Sequence, residues 1–188
     1  RTGERVFKPE HGKPYRAGEY AVEGDASAAS YFLAAAAILG GRVAVLNLRG
    51  DSPQGDAAFA DLLERMGCEV RRGFLPGGCG VEVARRGSQP LRAIEADLNP
   101  MPDMAQTLAA VSLFAEGTTR LTNIANLRIK ETDRLSALNA ELTRLGARVT
   151  EGRDCLEIAP GPARPATVRT YDDHRMAMAL SLVGLGRR

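Results

Sequence analysis

Nine consecutive residues combine basic, acidic and amide side chains directly before a stretch with a leucine pattern. They are Asn126, Leu127, Arg128, Ile129, Lys130, Glu131, Thr132, Asp133 and Arg134. Cations beside carboxylates can bind a phosphorylated acid and move its protons. The alternative is a solvated first helical turn, in which Glu131 and Arg134, three residues apart, would add only about 0.2–0.5 kcal/mol to helix stability.

The phase of the following helix favours a functional site. Its apolar stripe consists of Leu135, Leu138, Leu142 and Leu145. At about 100° per residue, Glu131 falls on the centre line of this stripe and Arg134 about 60° from it. Asp133 points about 160° away, and Lys130 lies at the edge, roughly 100° off. Because an ionised side chain on the inward face needs a partner or a ligand, we predict a site at this helix start.

The composition limits the kind of site. With Lys+Arg 25 against Asp+Glu 23, the net charge is only +2, so no broad basic surface for nucleic acid is expected and an anion site must be local. Cys68, Cys79 and Cys155 show no CxxC spacing, which argues against a disulfide framework or a zinc site. No apolar run approaches the roughly 20 residues of a membrane span. We therefore expect a cytoplasmic location.

The sequence repeats itself with a spacing of 79 residues. Asn47-Leu48-Arg49 recurs as Asn126-Leu127-Arg128, and 126 − 47 = 79. Each copy predicts a strand, an Ala-rich helix, a strand, an amphipathic helix and two short strands. The first copy gives 19–23, 26–39, 42–48, 56–66, 69–72 and 81–85; the second gives 92–97, 104–115, 119–124, 132–145, 148–151 and 156–159. A third copy begins with a strand at 167–171 and a helix at about 173–185.

The Ala-rich helix at 26–39 is apolar nearly all round, which is typical of a helix buried on every side. We therefore predict a mixed α/β (α+β) fold of repeated βαβαββ units about a pseudo-threefold axis, with helices inside and sheets outside. Each of the three first helices opens with an aspartate, Asp25, Asp103 or Asp173. These aspartates could cap the helices, or the gathered helix N-termini could favour bound anions.

Three segments resemble the EPSP synthase (5-enolpyruvylshikimate-3-phosphate synthase) family: residues 23–33 (EGDASAASYFL), residues 126–134 and residues 171–178 (YDDHRMAM). The family fold is a pair of domains, each of three βαβαββ units. The resemblance implies that residues 1–22 are the end of the other domain or a hinge, and that residues 23–188 are an incomplete domain. Its units would span about 17–88, 89–162 and, in part, 163–188. A fragment that is inactive alone is the expectation.

The resemblance also implies a reaction and roles for residues. The family transfers the enolpyruvyl group of phosphoenolpyruvate (PEP) to shikimate-3-phosphate with no metal or redox cofactor, and a monomer is expected at full length. By position, Asp103 is similar to the proton acceptor, which also contacts shikimate-3-phosphate, and Glu131 to the proton donor; these two roles could exchange. The family's shikimate-3-phosphate ligands correspond to Asn126 and Lys130. Its PEP ligands correspond to Arg134, Arg175 and Lys130, and His174 could support them or only begin its helix.

Two other functions remain open on the sequence. One is the sister enolpyruvyl transferase that acts on UDP-N-acetylglucosamine, which shares the fold but lacks the KETDR cluster of residues 130–134. The other is a non-catalytic anion-binding module. In the first copy, the positions equivalent to Lys130, Glu131 and Arg134 are Asp51, Ser52 and Gly55. The fold alone therefore does not require these charges.

Overall fold

The computed structural model describes residues 12, 16–86 and 89–186. The first copy contains α1 (Ala26–Leu39), β1 (Gly41–Leu46), a 3-10 turn (Gly55–Ala58), α2 (Phe59–Arg65), β2 (Glu69–Leu75) and β3 (Gly78–Arg85). The second contains β4 (Leu91–Arg92), β5 (Glu95–Asp97), a 3-10 turn (Pro102–Met104), α3 (Ala105–Ser112), β6 (Ala115–Glu116), β7 (Thr119–Thr122), a 3-10 turn (Ala125–Ile129), α4 (Arg134–Arg144), β8 (Arg148–Glu151) and β9 (Leu156–Ala159). The third contributes α5 (His174–Gly186).

The first helices of the three copies, α1, α3 and α5, pack against one another in the centre. These helices contain Ala34, Ala37, Ala109 and Ala110, all completely buried. Such small side chains let the helices approach closely. The prediction that these helices pack in the centre is therefore confirmed, and α1 has the predicted bounds. The expected burial of α1 on every side is wrong, because Phe32 and Leu39 on one of its faces are 60% and 56% exposed.

One sheet covers each of the first two central helices. The first sheet has the strand order β1-β3-β2 with antiparallel neighbours, and β1 and β3 pack on α1. The second has the order β5-β7-β9-β8, and β7 and β9 pack on α3. Strands β5 and β7 are parallel, whereas the other two pairs are antiparallel. Strands β4 and β6 form a separate parallel pair.

The repeat spacing changes inside the second copy. Asn47 follows β1 and Asn123 follows β7, both in the left-handed conformation with φ of 58° and 59°, and 123 − 47 = 76. After the second amphipathic helix, Gly67 and Gly146 share φ values of 108° and 101°, and 146 − 67 = 79. The second copy therefore has three additional residues between the strand and α4, in the loop that holds the charged cluster.

Two predicted strands are wrong. Residues 19–23 form no strand: beside the end of β1, Gly24 N donates to Asn47 O at 2.6 Å, and the Asn47 amide donates to Val22 O at 3.2 Å. Residues 167–171 also form no strand, because no described strand pairs with them, and the backbone N–H of Arg169 donates instead to the Glu141 carboxylate at 3.1 Å. Backbone propensity without a neighbouring strand does not make a ladder.

The predicted hinge at the start of the chain is only partly described by the structure. The proposed hinge or domain end, residues 1–22, lies outside the described residues except for 12 and 16–22, which form neither helix nor strand. Within the described ranges, none of the helices has the length and apolar character needed to span a bilayer.

Candidate active site

Asp103 is the centre of a group of six charged side chains that is called the inner cluster below. Its members are Lys130, Arg134, Arg175, Asp103, Glu131 and Asp173. Asp103 lies in the 3-10 turn before α3 and contacts three cations, one from the loop before α4, one from α4 and one from α5. Its Oδ1 is 3.7 Å from Lys130 Nζ and 3.0 Å from Arg134 Nη1, and its Oδ2 is 3.2 Å from Arg175 Nη2. Of the three helix-opening aspartates, Asp103 makes no capping hydrogen bond, so its side chain serves this cluster.

Arg134 joins the carboxylates of the cluster. Its side chain is only 1% exposed, although it is the first residue of α4. Its Nε and Nη2 donate to the two oxygens of Asp173 at 2.7 and 3.2 Å. Nη1 donates to Asp103, and Nη2 also lies 2.8 Å from Glu131 Oε2. One buried guanidinium therefore fixes three carboxylates, as the fork geometry of arginine allows.

Asp173 ties α5 to the same cluster. Its Oδ1 accepts hydrogen bonds from the backbone N–H groups of Arg175 at 2.8 Å and Met176 at 3.4 Å, which caps α5. Burial alone would raise the pKa of Asp173, but Arg134 and these N–H groups lower it below the ordinary value. In turn, burial would lower the pKa of Arg134, and its ion pairs, chiefly with Asp173, raise it. The pair is therefore ionised at neutral pH.

The helix-phase prediction is confirmed for Arg134 and wrong for Glu131. Helix α4 begins at Arg134, and Asp133 is its N-cap, accepting from Ser136 N at 3.1 Å. Glu131 precedes the helix, so the helical spiral does not apply to it, and its side chain is 46% exposed. It still belongs to the cluster because its carboxylate folds back to Arg134.

The nine-residue motif divides into two groups. Lys130, Glu131 and Arg134 face the inner cluster, whereas Arg128 and Asp133 pair with each other at 3.0 Å on the other side. Arg128 also contacts Glu151 at 2.8 Å and donates to the carbonyl oxygens of residues 152 and 153. These outer contacts hold the loop against β8. Asp133 therefore points away from the inner cluster, as predicted.

The remaining candidates, Asn126 and His174, are exposed. Asn126 lies on the 3-10 turn before Lys130, and His174 is the first residue of α5. Sequence reasoning missed Tyr31, which is 9% exposed on α1 and lies beside Arg175. Its pKa is raised by burial, so its hydroxyl is protonated. The signal was available, because a tyrosine within a buried apolar helix needs a partner for its hydroxyl.

Among its described residues, the first copy contributes no cation to the inner cluster. At the equivalent loop, Glu23 accepts hydrogen bonds from Arg49 N at 2.6 Å, Ser52 Oγ at 2.8 Å and Gln54 Nε2 at 3.1 Å. The pKa of Glu23 is lowered, chiefly by the backbone N–H of Arg49. These contacts lie within the copy and close its loop locally.

The inner cluster is electrically balanced. Its members are Lys130, Arg134, Arg175, Asp103, Glu131 and Asp173, three cations and three carboxylates whose formal charges sum to zero. Lys130 and Asp103 retain side-chain exposures of 35% and 27%, and Arg175 retains 16%. An incoming anion would reach Lys130 and Arg175 directly, but it would compete there with Asp103. The arrangement can bind an acidic ligand and place two carboxylates beside it.

Comparison with solved structures first defines the class of protein. The chain resembles an EPSP synthase from Acinetobacter baumannii with a TM-score of 0.73 and 29% identity, over 87% of this chain and 40% of that one. It also shares the fold of the enolpyruvyl transferase NikO from Streptomyces tendae, with a TM-score of 0.64 over 88% of this chain and 37% of that one. The fold is therefore that of enolpyruvyl transferases.

Sequence comparison defines the family. The family model described as EPSP synthase (3-phosphoshikimate 1-carboxyvinyltransferase) matches residues 4–188. A 3-phosphoshikimate 1-carboxyvinyltransferase from Photobacterium profundum is 52% identical over 176 residues, which is 93% of this chain and 40% of that protein. The chain belongs to the EPSP synthase family, and it spans about 40% of the length of this relative.

Proposed function

We propose that this chain supplies one side of the site that transfers the enolpyruvyl group of PEP to the 5-hydroxyl of shikimate-3-phosphate. Family membership supports the reaction, and the geometry of Arg134 is the observation that supports the site. Its Nη1 contacts Asp103 at 3.0 Å and its Nη2 contacts Glu131 at 2.8 Å. One rigid group thus holds two carboxylates next to each other, beside the exposed cation Lys130.

The proposed chemistry needs two proton transfers. The 5-hydroxyl oxygen bonds to C2 of PEP while its proton passes to Asp103, and Glu131, which enters this step in its protonated form, gives its proton to the PEP methylene; the product is a tetrahedral intermediate. The new methyl group then returns a proton to the Glu131 carboxylate, Asp103 passes its proton to the departing phosphate, the C2–O bond to phosphate breaks, and the enol ether and inorganic phosphate are released. The roles of the two carboxylates could exchange, because both lie on the same guanidinium.

We propose that the cations bind the substrate anions. Lys130 and Arg175 retain exposed surface and can meet the PEP carboxylate and phosphate directly. Arg134 is 1% exposed and its nitrogens contact Asp103, Glu131 and Asp173, so one of these contacts has to open if PEP binds to it directly. Asn126 and Lys130 would contact shikimate-3-phosphate, and His174 would support the PEP ligands. Residues 23–188 would form an incomplete domain, with 1–22 as a hinge or the end of another domain.

A chimaeric enzyme tests this proposal. The matching segment of the Photobacterium profundum relative, 52% identical to this chain, is replaced by residues 16–186. We expect phosphate release from PEP with shikimate-3-phosphate and none with UDP-N-acetylglucosamine. A folded chimaera that releases phosphate with neither acceptor would support a non-catalytic anion-binding module and refute the proposal.

Variants of the chimaera test the roles of the carboxylates. Glu131→Gln and Asp103→Asn should each abolish most turnover, because neither amide transfers a proton. Asp133→Asn is the matched control: it lies in the same motif, faces away from the cluster and keeps a side chain that caps α4 well. Equal losses in all three variants would show that the motif serves folding only.

A further inference from the structure

The segment before α5, residues 169–173, has an unusual backbone and is called the strap below. Tyr171 and Asp172 are both in the left-handed region, with φ of 57° and 53°. This conformation costs a non-glycine residue about 1–2 kcal/mol. Two successive residues keep it only where the surroundings hold them, and such strain is concentrated at functional positions.

A buried carboxylate holds the strap. Glu141 on α4 is completely buried and accepts a hydrogen bond from Tyr171 Oη at 2.8 Å and another from Arg169 N at 3.1 Å. Arg144 Nε is 3.3 Å away and balances its charge. A buried carboxylate is costly unless its oxygens accept hydrogen bonds. The strap supplies these hydrogen bonds to Glu141, and Glu141 in turn holds the strap in its left-handed conformation.

Helix α4 therefore holds the strap at two points. Arg134 binds Asp173, and Glu141 binds Tyr171. The two α4 residues are seven positions apart, which is two turns or about 10 Å along the axis. The strap residues they bind are only two positions apart. The left-handed backbone at 171 and 172 directs these two side chains to separate turns of α4.

The strap determines where α5 begins. Asp173 N donates to Thr170 O at 3.0 Å, which closes the turn, and the Asp173 carboxylate then caps α5 through Arg175 N. Arg175 is thus the second residue of a helix whose start depends on the strap. Its guanidinium reaches Asp103 from there.

We infer that Glu141 and Tyr171 are positioning residues that fix the guanidinium of Arg175 at the candidate site. Neither contacts the inner cluster except through the strap. The identity of the anion at Arg175 rests on the proposed function, whereas the positioning of Arg175 does not. Burial and the neighbouring Glu141 raise the pKa of Tyr171, so its hydroxyl remains a donor at neutral pH.

The first test uses the chain without ligand. Tyr171→Phe removes only the hydroxyl, and the NMR order parameter of the Arg175 Nε–Hε group reports how firmly that side chain is held. We expect it to fall toward the value of the exposed Arg153, while Tyr20→Phe, at a position 87% exposed, leaves it unchanged. An Arg175 that stays equally ordered in Tyr171→Phe overturns the inference.

A second test relieves the strain. Glycine adopts the left-handed conformation without penalty, so Asp172→Gly should restore order to Arg175 in the Tyr171→Phe background. The increase in the Arg175 order parameter should be larger in the Tyr171→Phe background than when Asp172→Gly is made in the parent chain. The double-mutant cycle separates this coupling between Tyr171 and Asp172 from the loss of the Asp172 charge. Additive effects would show that Tyr171 and the strained backbone act independently, which contradicts the inference.

Titration with inorganic phosphate separates the inference from the proposed function. We expect Tyr171→Phe to bind phosphate about fivefold more weakly than the parent chain, the effect of one lost hydrogen bond. The comparison is made at a temperature where both are fully folded. Loss of Arg175 order in a chain that binds no phosphate would refute the anion site and leave the positioning role intact. If Tyr171→Phe binds phosphate with the affinity of the parent chain and its Arg175 side chain stays equally ordered, the positioning role is refuted and the anion site stands.

Discussion

Asp103→Asn should strengthen the binding of an anion to this chain. In the parent chain the Asp103 carboxylate contacts Lys130, Arg134 and Arg175 at 3.7, 3.0 and 3.2 Å. It therefore occupies the cations that an anionic ligand needs. The asparagine keeps the shape of the side chain and an oxygen that can accept from Arg134. It changes the formal charge of the inner cluster from zero to +1.

The magnitude follows from Coulomb's law. An anion in contact with Lys130 and Arg175 would lie roughly 5 Å from the Asp103 carboxylate. Two unit charges at that distance repel by about 0.8 kcal/mol in water and about 3 kcal/mol at an effective dielectric constant of 20. Because Asp103 is 27% exposed, solvent screening favours the lower end. About 1 kcal/mol corresponds to roughly fivefold tighter phosphate binding.

Calorimetric or NMR titration of the chain with inorganic phosphate measures this change. The gain should shrink at about 1 M salt, where the screening length is only about 3 Å. Asp133→Asn is the matched control, since it removes the same charge from the outer side of the motif and should leave the affinity unchanged. Unchanged or weaker phosphate binding by Asp103→Asn would refute the competition between Asp103 and the ligand.

Three further predictions concern stability and reactivity. Asp173→Asn should lower the free energy of unfolding by about 3–5 kcal/mol, because it leaves the buried Arg134 without its main partner. Urea unfolding measures this change, and the control Asp172→Asn should stay within about 0.5 kcal/mol of the parent. An equal loss of stability in the two variants would contradict the prediction. The folded-state pKa of Asp173 lies below its ordinary 3.8, so the stability that Asp173 contributes is full well above pH 3.8 and is lost as the pH falls through the lower folded value. Asp173→Asn should lack this acid-dependent loss when the free energy of unfolding is measured over a pH series. The same dependence of unfolding free energy on pH in parent and variant would refute the prediction. Burial raises the pKa of Cys68 to about 11, so alkylation at pH 8 should modify the exposed Cys79 and spare Cys68. Mass spectrometry detects the modified residues, and equal labelling of the two cysteines would show that Cys68 is accessible.

The central helices could be predicted because their signal is local. Residues 26–39 are apolar on all sides, and the capping aspartate Asp25, which accepts from Ser27 N at 2.8 Å, precedes them. Both features act within a few residues. The same holds for β8 and β9, which the sequence placed at the observed bounds.

The predicted strand at 167–171 was wrong for the opposite reason. A strand depends on a partner that is often far away along the chain, and no described strand pairs with this segment. Its backbone N–H at Arg169 binds a side chain from α4 instead. The left-handed pair at Tyr171 and Asp172 was equally hidden, since neither residue is glycine and the strain is stabilised by a contact 30 positions away.

For the site, the sequence by itself determined which residues carry charge and that Arg134 faces inward, because helical periodicity fixes direction once α4 has begun. It could not determine the position of Glu131, which precedes the helix and follows no periodicity. Only the tertiary structure decided that Arg134 binds Asp103, Asp173 and Glu131 together, since these residues lie on three elements separated by up to 70 positions. Charge attraction selects the partners, but the packing of α3, α4 and α5 decides which charges come within reach.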